Sequence, residues 1–209
     1  MMKRERLVRM ALAAMIGLIM AAVIAWMTIR HDQRQLAGVA TSVAPASIGG
    51  PFTLTSHDGR IVSDGDFQGR YRLVFFGYTF CPDICPTELQ TIAQAMDLMG
   101  AAGADVQPLF ITIDPARDTA PVLADYVPLF HPTIIGLTGT PDQIAAVAKE
   151  YRVYFARSQG EPDETQYLMD HSTFAYLMAP DGSFVTVFAK GTTPEQMVEA
   201  IAAHRARGT

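Results

Sequence analysis

A long apolar run near the start of the chain stands apart from the shorter apolar stretches that follow it. Residues 10–29 form 20 consecutive positions without a charged side chain, and about 20 is the number that a helix needs to cross a bilayer core. The core of a cleaved signal peptide is shorter, at roughly 7–15 residues. We therefore predict an uncleaved transmembrane helix at 10–29. The basic residues that precede it are Lys3, Arg4, Arg6 and Arg9.

Those basic residues set the expected orientation. The positive-inside rule places a tail at 1–9 in the cytoplasm and the rest of the chain on the outer side, in a compartment where disulfides can form. Residues 30–50 are polar and rich in Ala, Ser and Gly, so they are predicted to be a tether. A folded domain is then expected over 51–209.

The domain at 51–209 has the periodicity of a protein that alternates strands with helices. Residues 71–77 (YRLVFFG) form a continuous apolar run of strand length, which is typical of a strand buried on both faces. Turn signals at 56–59 and 179–182 predict two hairpins. Further strands and hairpin arms are expected at 52–54, 60–62, 106–113, 133–137, 173–178 and 183–188.

Helices are predicted between these strands. Residues 140–143 (TPDQ) and 193–196 (TPEQ) each offer Thr as N-cap, Pro at the first helical position and Gln at the third, which is a capping-box pattern. Another helix is expected at 86–99, with Gly100 at its end, and a shorter one near Thr119. This order indicates an α/β fold, with a central sheet covered by helices on both faces.

The charge distribution shows a basic N-terminal segment followed by an acidic remainder. Residues 1–34 hold six of the 16 Lys and Arg and two of the 21 Asp and Glu, a net charge of +4, and the remainder carries −9. Nucleic-acid binding is excluded because no basic patch or stripe is present. A hydrophobic fraction of 49% excludes a disordered chain. Two cysteines are too few for a small disulfide-rich scaffold.

Both cysteines of the chain, Cys81 and Cys85, directly follow the most apolar strand. Loops at that end of a strand are where α/β proteins form their sites. If Pro86 is the first residue of the next helix and Cys85 its cap, the helix dipole favours a thiolate, the form that binds metal or attacks disulfides. Two buried free thiols or one inert bridge would be the alternative without a function.

A third ligand would widen the range of metal oxidation states that a site with two thiolates can bind. Thiolates alone bind Cu(I), and an added imidazole lets a site accept harder oxidation states. His171 lies just before a predicted strand, which by itself is a weak signal, because such a histidine is more often a hydrogen-bonded structural residue. The other histidines fall in the tether, a turn, a loop and a helix end: His31, His57, His131 and His204.

Three motifs, in order along the chain, resemble those of the Sco/SenC proteins, which are copper-binding assembly factors of cytochrome c oxidase. Residues 76–89 (FGYTFCPDICPTEL) are similar to the copper loop of that family. Residues 114–119 (DPARDT) are similar to its second motif, and 170–184 (DHSTFAYLMAPDGSF) to its third. The resemblance covers 49–204 and the N-terminal anchor.

The resemblance implies a thioredoxin-like fold, with a mixed sheet of four or five strands and flanking helices. It also implies that Cys81, Cys85 and His171 together bind one copper ion, as Cu(I), Cu(II) or both. One departure is Phe80, where many relatives have His, so an auxiliary ligand or proton donor is missing beside Cys81.

The second motif is expected to support the copper loop. Copper ligation is not expected from the side chains of Asp114, Arg117 and Asp118. They are expected to shape the loop beside the site or to pair as ions, and a capped helix start at Thr119 is the alternative explanation of the motif.

The implied function is that of a metallochaperone and not of an enzyme. The protein would be anchored in a bacterial inner membrane with its domain in the periplasm, since the anchor lies too close to Met1 for a mitochondrial presequence. It would receive copper from a donor protein and pass it to the CuA centre of cytochrome c oxidase subunit II.

Other chemistries of the same residues remain open. Cys81 and Cys85 could act as a thiol–disulfide oxidoreductase on the CuA cysteines, or as a redox sensor, although the usual redox spacing is C-x-x-C. A peroxidase ranks last, because Pro82 and Tyr78 stand where peroxiredoxins carry Thr. A closed structural zinc site would need a fourth ligand.

Overall fold

The computed structural model describes Met20, residues 48–158 and residues 166–207. Apart from Met20, the predicted anchor lies outside the described residues, as do the tail and most of the tether. No helix within the described ranges combines the length and the hydropathy that crossing a bilayer requires.

Nine strands and four α-helices make up the described part of the domain. The strands are β1 (Thr53–Ser56), β2 (Ile61–Ser63), β3 (Tyr71–Gly77), β4 (Val106–Thr112), β5 (Ile135–Thr138), β6 (Phe155–Arg157), β7 (Met169–His171), β8 (Ala175–Met178) and β9 (Phe184–Phe188). The helices are α1 (Ile84–Met99), α2 (Ala120–Tyr126), α3 (Pro141–Glu150) and α4 (Pro194–Arg207).

The central sheet is mixed, as predicted, but it is larger than the resemblance implied. Within the described ranges it has seven strands in the order β2-β1-β5-β4-β3-β8-β9, where four or five were expected. Strands β3, β4 and β5 are parallel, and the other pairs are antiparallel. The two extra strands are the predicted hairpin β1–β2, which joins the edge of β5 through Ser56 opposite Leu137.

Strand β3 lies near the middle of the sheet, and all seven of its residues are buried, which confirms the prediction from its apolar run. Successive side chains point to opposite faces. Phe75 packs against Phe110 of β4, which in turn contacts Tyr126 of α2. Phe76 packs on the other face against Tyr151, at the end of α3. Helices therefore cover both faces, as expected.

Helix starts follow the sequence prediction in two cases. Thr140 accepts a hydrogen bond from the Gln143 amide, and Gln143 accepts one from the Thr140 amide. Thr193 and Gln196 make the same reciprocal pair at α4. Thr119 precedes α2, but its side chain makes no capping hydrogen bond among the described residues.

The start of α1 corrects the prediction. The helix begins at Ile84, with Asp83 in the N-cap position, so Cys85 is its second residue and not its cap, and Pro86 is its third. Cys85 donates its backbone N–H to the Cys81 sulfur at 3.3 Å. The Cys81 side chain thus satisfies one of the amides that the first turn leaves without an intrahelical partner. The helix is two residues longer at this end than predicted.

Candidate metal centre

The cysteine loop connects the carboxyl end of β3 to α1. Cys85 is fully buried, and its sulfur lies against the last residue of β3, Gly77. A Cβ atom on Gly77 would come within 2.9 Å of the Cys85 sulfur and within 2.9 Å of the Phe110 ring. The absence of a side chain at Gly77 is therefore what lets α1 bring Cys85 against the sheet. Cys81, four residues earlier, is partly exposed, and both thiols are free.

We expect Gly77→Ala to destabilise the protein by about 1–3 kcal/mol, the usual cost of overpacking a core. It should also make the Cys85 thiol react faster with a thiol reagent, since the sulfur must move. Urea unfolding and thiol labelling of the reduced protein check both effects. Gly65→Ala is the matched control, because a Cβ there meets no atom closer than 3.5 Å. Equal stability of the two variants would contradict the packing argument.

His171 reaches the cysteines from a second, smaller sheet. Strands β6 and β7 form a two-stranded antiparallel sheet in which Phe155 lies opposite His171. The His171 Nδ1 donates to the Ser172 carbonyl at 2.9 Å, and because a carbonyl only accepts, this bond places the ring proton on Nδ1. The Nε2 lone pair is left facing the Cys85 sulfur at 3.6 Å.

The ligand atoms of Cys81, Cys85 and His171 all lie within 4.8 Å of one another. Among the described residues, no other group of three Cys, His or acidic side chains was found so close together. The other described histidines have different partners: His57 accepts from the Gly136 amide, and His131 contacts Thr133. His204 contacts Tyr71, and His31 lies outside the described residues. The structure therefore brings together the three residues that the sequence singled out.

The two thiols have opposite protonation preferences. A hydrogen bond from the Cys85 thiol lowers the pKa of Cys81 well below its ordinary value. The same hydrogen bond and burial raise the pKa of Cys85. Of the two sulfurs, the partly exposed one of Cys81 therefore becomes the thiolate more readily. A thiolate, a thiol that metal can deprotonate, and an imidazole nitrogen form a donor set suited to a soft or borderline metal ion.

The second motif braces the cysteine loop, as expected. Asp118 is fully buried and accepts hydrogen bonds from the Thr79 amide at 3.0 Å, the Thr79 hydroxyl at 2.6 Å and the Thr112 hydroxyl at 2.6 Å. Asp114 forms an ion pair with Arg117 at 2.5 Å. The Arg117 guanidinium lies 4.8 Å from the centre of the Phe80 ring, so Phe80 packs on this pair.

Two tyrosines beside the site were not predicted. The Tyr78 hydroxyl accepts from the Met169 amide at 3.2 Å, and its ring packs edge-on against His171. Tyr167 donates its hydroxyl to Asp114 at 2.7 Å. Tyr78 lies inside the cysteine motif, so its position could have drawn attention to it. Tyr167 belongs to no motif, and its partner is 53 residues away along the chain.

The sequence matches the family described as SCO1/SenC over residues 40–206. It is 46% identical over 162 residues to Protein SenC of Rhodobacter capsulatus. The aligned region covers 77% of this chain and 72% of that protein. It is 42% identical over 174 residues to Protein sco1 of Schizosaccharomyces pombe, covering 82% of this chain and 66% of that protein. The match therefore spans about two thirds of the length of the yeast relative.

This chain belongs to the SCO1/SenC family. Among solved structures, it is similar to the crystal structure of Arabidopsis thaliana ScoI with copper bound, at 41% identity and a TM-score of 0.72, covering 77% of this chain and 99% of that one. The mixed sheet with helices on both faces is thus the thioredoxin-like α/β fold that the SCO1/SenC resemblance implied.

Proposed function

We propose that this protein is a copper chaperone, in which Cys81, Cys85 and His171 together bind one copper ion. The observation that carries the proposal is the triangle of two sulfurs and one imidazole nitrogen, with every ligand atom within 4.8 Å of the others. Two cysteine sulfurs suit Cu(I), and the imidazole makes Cu(II) tolerable. A copper-bound structure of a relative at 41% identity supports the same choice of metal.

The position of these ligands favours transfer over storage. Cys81 and His171 are both partly exposed and both line an open cleft on the surface, whereas Cys85 is buried. Three ligands also leave a coordination position free. An incoming thiolate could therefore displace the exposed ligands one at a time, so copper is handled here as cargo and not as a resident cofactor.

We further propose that the copper comes from a donor protein and goes to the CuA centre of cytochrome c oxidase subunit II. Residues 10–29 would anchor the chain in a bacterial inner membrane, with residues 30–50 as tether and residues 51–209 in the periplasm. Family membership supports the role in oxidase assembly, and the charge pattern at 1–29 supports the topology.

The thiol pair itself favours a second candidate, a thiol–disulfide oxidoreductase. The Cys81 thiolate would attack a disulfide of subunit II and form a mixed disulfide, releasing the first partner thiolate. Cys85, once deprotonated, would then attack the Cys81 sulfur and release the second. The partner gains two electrons, and this protein ends with a Cys81–Cys85 disulfide. The same couple could serve as a redox sensor.

One experiment separates the two candidates. The full chain in detergent is reduced and titrated with Cu(I), and we expect one copper per chain. The copper-loaded protein is then mixed with reduced, copper-free CuA domain, and the copper-free protein with oxidised CuA domain. Copper transfer in the first mixture supports the chaperone. Reduction in the second mixture alone supports the oxidoreductase, and failure to bind Cu(I) overturns the copper proposal.

A further inference from the structure

The hairpin that carries His171 is not part of the central sheet. Among the described residues, β6 and β7 pair only with each other, so no ladder of backbone hydrogen bonds ties them to β3. The chain itself holds one end of the hairpin, because β7 leads through residues 172–174 into β8, where Ala175 lies opposite Phe75 of β3. Side-chain contacts add to this connection in placing His171 beside the cysteines. One of them is the bond from the Met169 amide to the Tyr78 hydroxyl.

A second attachment is a stack centred on Tyr167. The Arg117 guanidinium lies 3.7 Å from the centre of the Tyr167 ring, and the Arg157 guanidinium lies 3.8 Å from it. Tyr167 is only 4% exposed, and its hydroxyl donates to Asp114. A cation over the face of an aromatic ring is attracted by the ring quadrupole, more strongly where water is excluded.

The stack connects the two halves of the metal centre. Tyr167 lies two residues before the start of β7 at Met169, and Arg157 lies in β6 opposite Met169. Arg117 belongs instead to the loop after β4, which Asp118 fixes to the cysteine loop through Thr79. Arg117 is also the residue that packs on Phe80, next to Cys81. A continuous set of contacts thus runs from the cysteine loop to the histidine hairpin.

We propose that Tyr167 and Arg117 are positioning residues that latch the His171 hairpin onto the cysteine loop, and so set how fast copper leaves the site. This inference rests on the proposed copper function. Groups behind a metal ligand that fix its orientation commonly change metal affinity by about 10–100-fold when they are removed. Neither residue is one of the three proposed ligands, and both act through the placement of His171.

The test measures the rate at which a chromogenic Cu(I) chelator in excess removes copper from the full chain in detergent. Tyr167→Ala and Arg117→Gln should each speed copper release by about 10–100-fold. Tyr167→Phe keeps the ring between the guanidiniums and loses only the hydroxyl, so its rate should stay nearer to the parent rate than to that of Tyr167→Ala. Tyr154→Ala is the matched control, because the Tyr154 ring lies at the base of the same hairpin but is 65% exposed.

A double variant separates positioning from general loosening of the fold. If Tyr167 acts through His171, Tyr167→Ala should not change the release rate of His171→Ala. If Tyr167 has a merely structural role, Tyr167→Ala should speed copper release both in the parent protein and in His171→Ala. Unchanged release in Tyr167→Ala and Arg117→Gln, with His171→Ala still fast, overturns the latch and leaves the copper site intact. Release unaffected by His171→Ala itself would overturn the three-ligand site instead.

Discussion

His171→Ala is expected to weaken copper binding by more than about 100-fold while the fold is retained. Removing a group behind a ligand costs roughly 10–100-fold, and here one of the three proposed ligands is removed outright. The Nε2 atom that is lost faces the Cys85 sulfur at 3.6 Å. His171 lies on the small β6–β7 sheet, so its truncation leaves the central sheet unchanged.

Competition between the reduced full chain and a Cu(I) chelator of known affinity measures this effect. The loss should be larger still for Cu(II), because two sulfurs without imidazole suit the softer ion. His131→Ala is the matched control, since His131 contacts Thr133 in a loop before β5 and its loss should leave affinity unchanged. Equal affinities for the parent and His171→Ala would overturn the three-ligand site and would show that the cysteines bind copper without the histidine.

Local patterns predicted most of the central sheet. The apolar run at 71–77 became β3 with its predicted bounds, and the capping boxes at Thr140 and Thr193 formed as expected. Both signals are contained in a few neighbouring residues. The small sheet β6–β7 was not predicted, because its three-residue strands are too short for period-2 alternation to be recognised.

The candidate site likewise contains residues that local patterns predicted and residues that they did not. Cys81 and Cys85 were found from their spacing and from the strand before them. His171 was singled out only through the resemblance to Sco/SenC motifs, since a lone histidine before a strand carries little information. The stack on Tyr167 joins loops that are distant in sequence. Such contacts are set by tertiary packing, so no pattern within one segment could have predicted them.

The start of α1 was mispredicted for a related reason. Proline at the first helical position is a sound local rule, and it placed Cys85 outside the helix. In the structure, the Cys81 sulfur accepts the Cys85 amide and supplies a partner that the rule does not consider. A residue of the candidate metal centre, Cys81, thus also stabilises the first turn of the helix.

Asp118→Ala is expected to destabilise the protein by about 3 kcal/mol and to weaken copper binding with it. The carboxylate is fully buried and accepts three hydrogen bonds. Its removal leaves donors on Thr79 and Thr112 without an acceptor, and hydrogen bonds to a charged group are worth about 1.5–3 kcal/mol each. Part of this loss is offset, because the cost of burying the carboxylate is removed with it. Thr79 lies two residues before Cys81, so the cysteine loop loses the hydrogen bonds that fix it next to the Cys81 sulfur.

Urea unfolding of the reduced, copper-free protein measures the stability, and chelator competition measures the affinity. Asp125→Ala is the matched control: Asp125 is an exposed residue of α2, and its loss should change stability by less than about 0.5 kcal/mol. Burial raises the pKa of Asp118, so the native state holds this proton to a higher pH than the unfolded chain does. Ionisation of Asp118 therefore lowers the free energy of unfolding as the pH rises from the pKa of the unfolded chain to that of the native state. Asp118→Ala should lack this pH dependence. A variant as stable as Asp125→Ala would mean that the second motif does not support the cysteine loop.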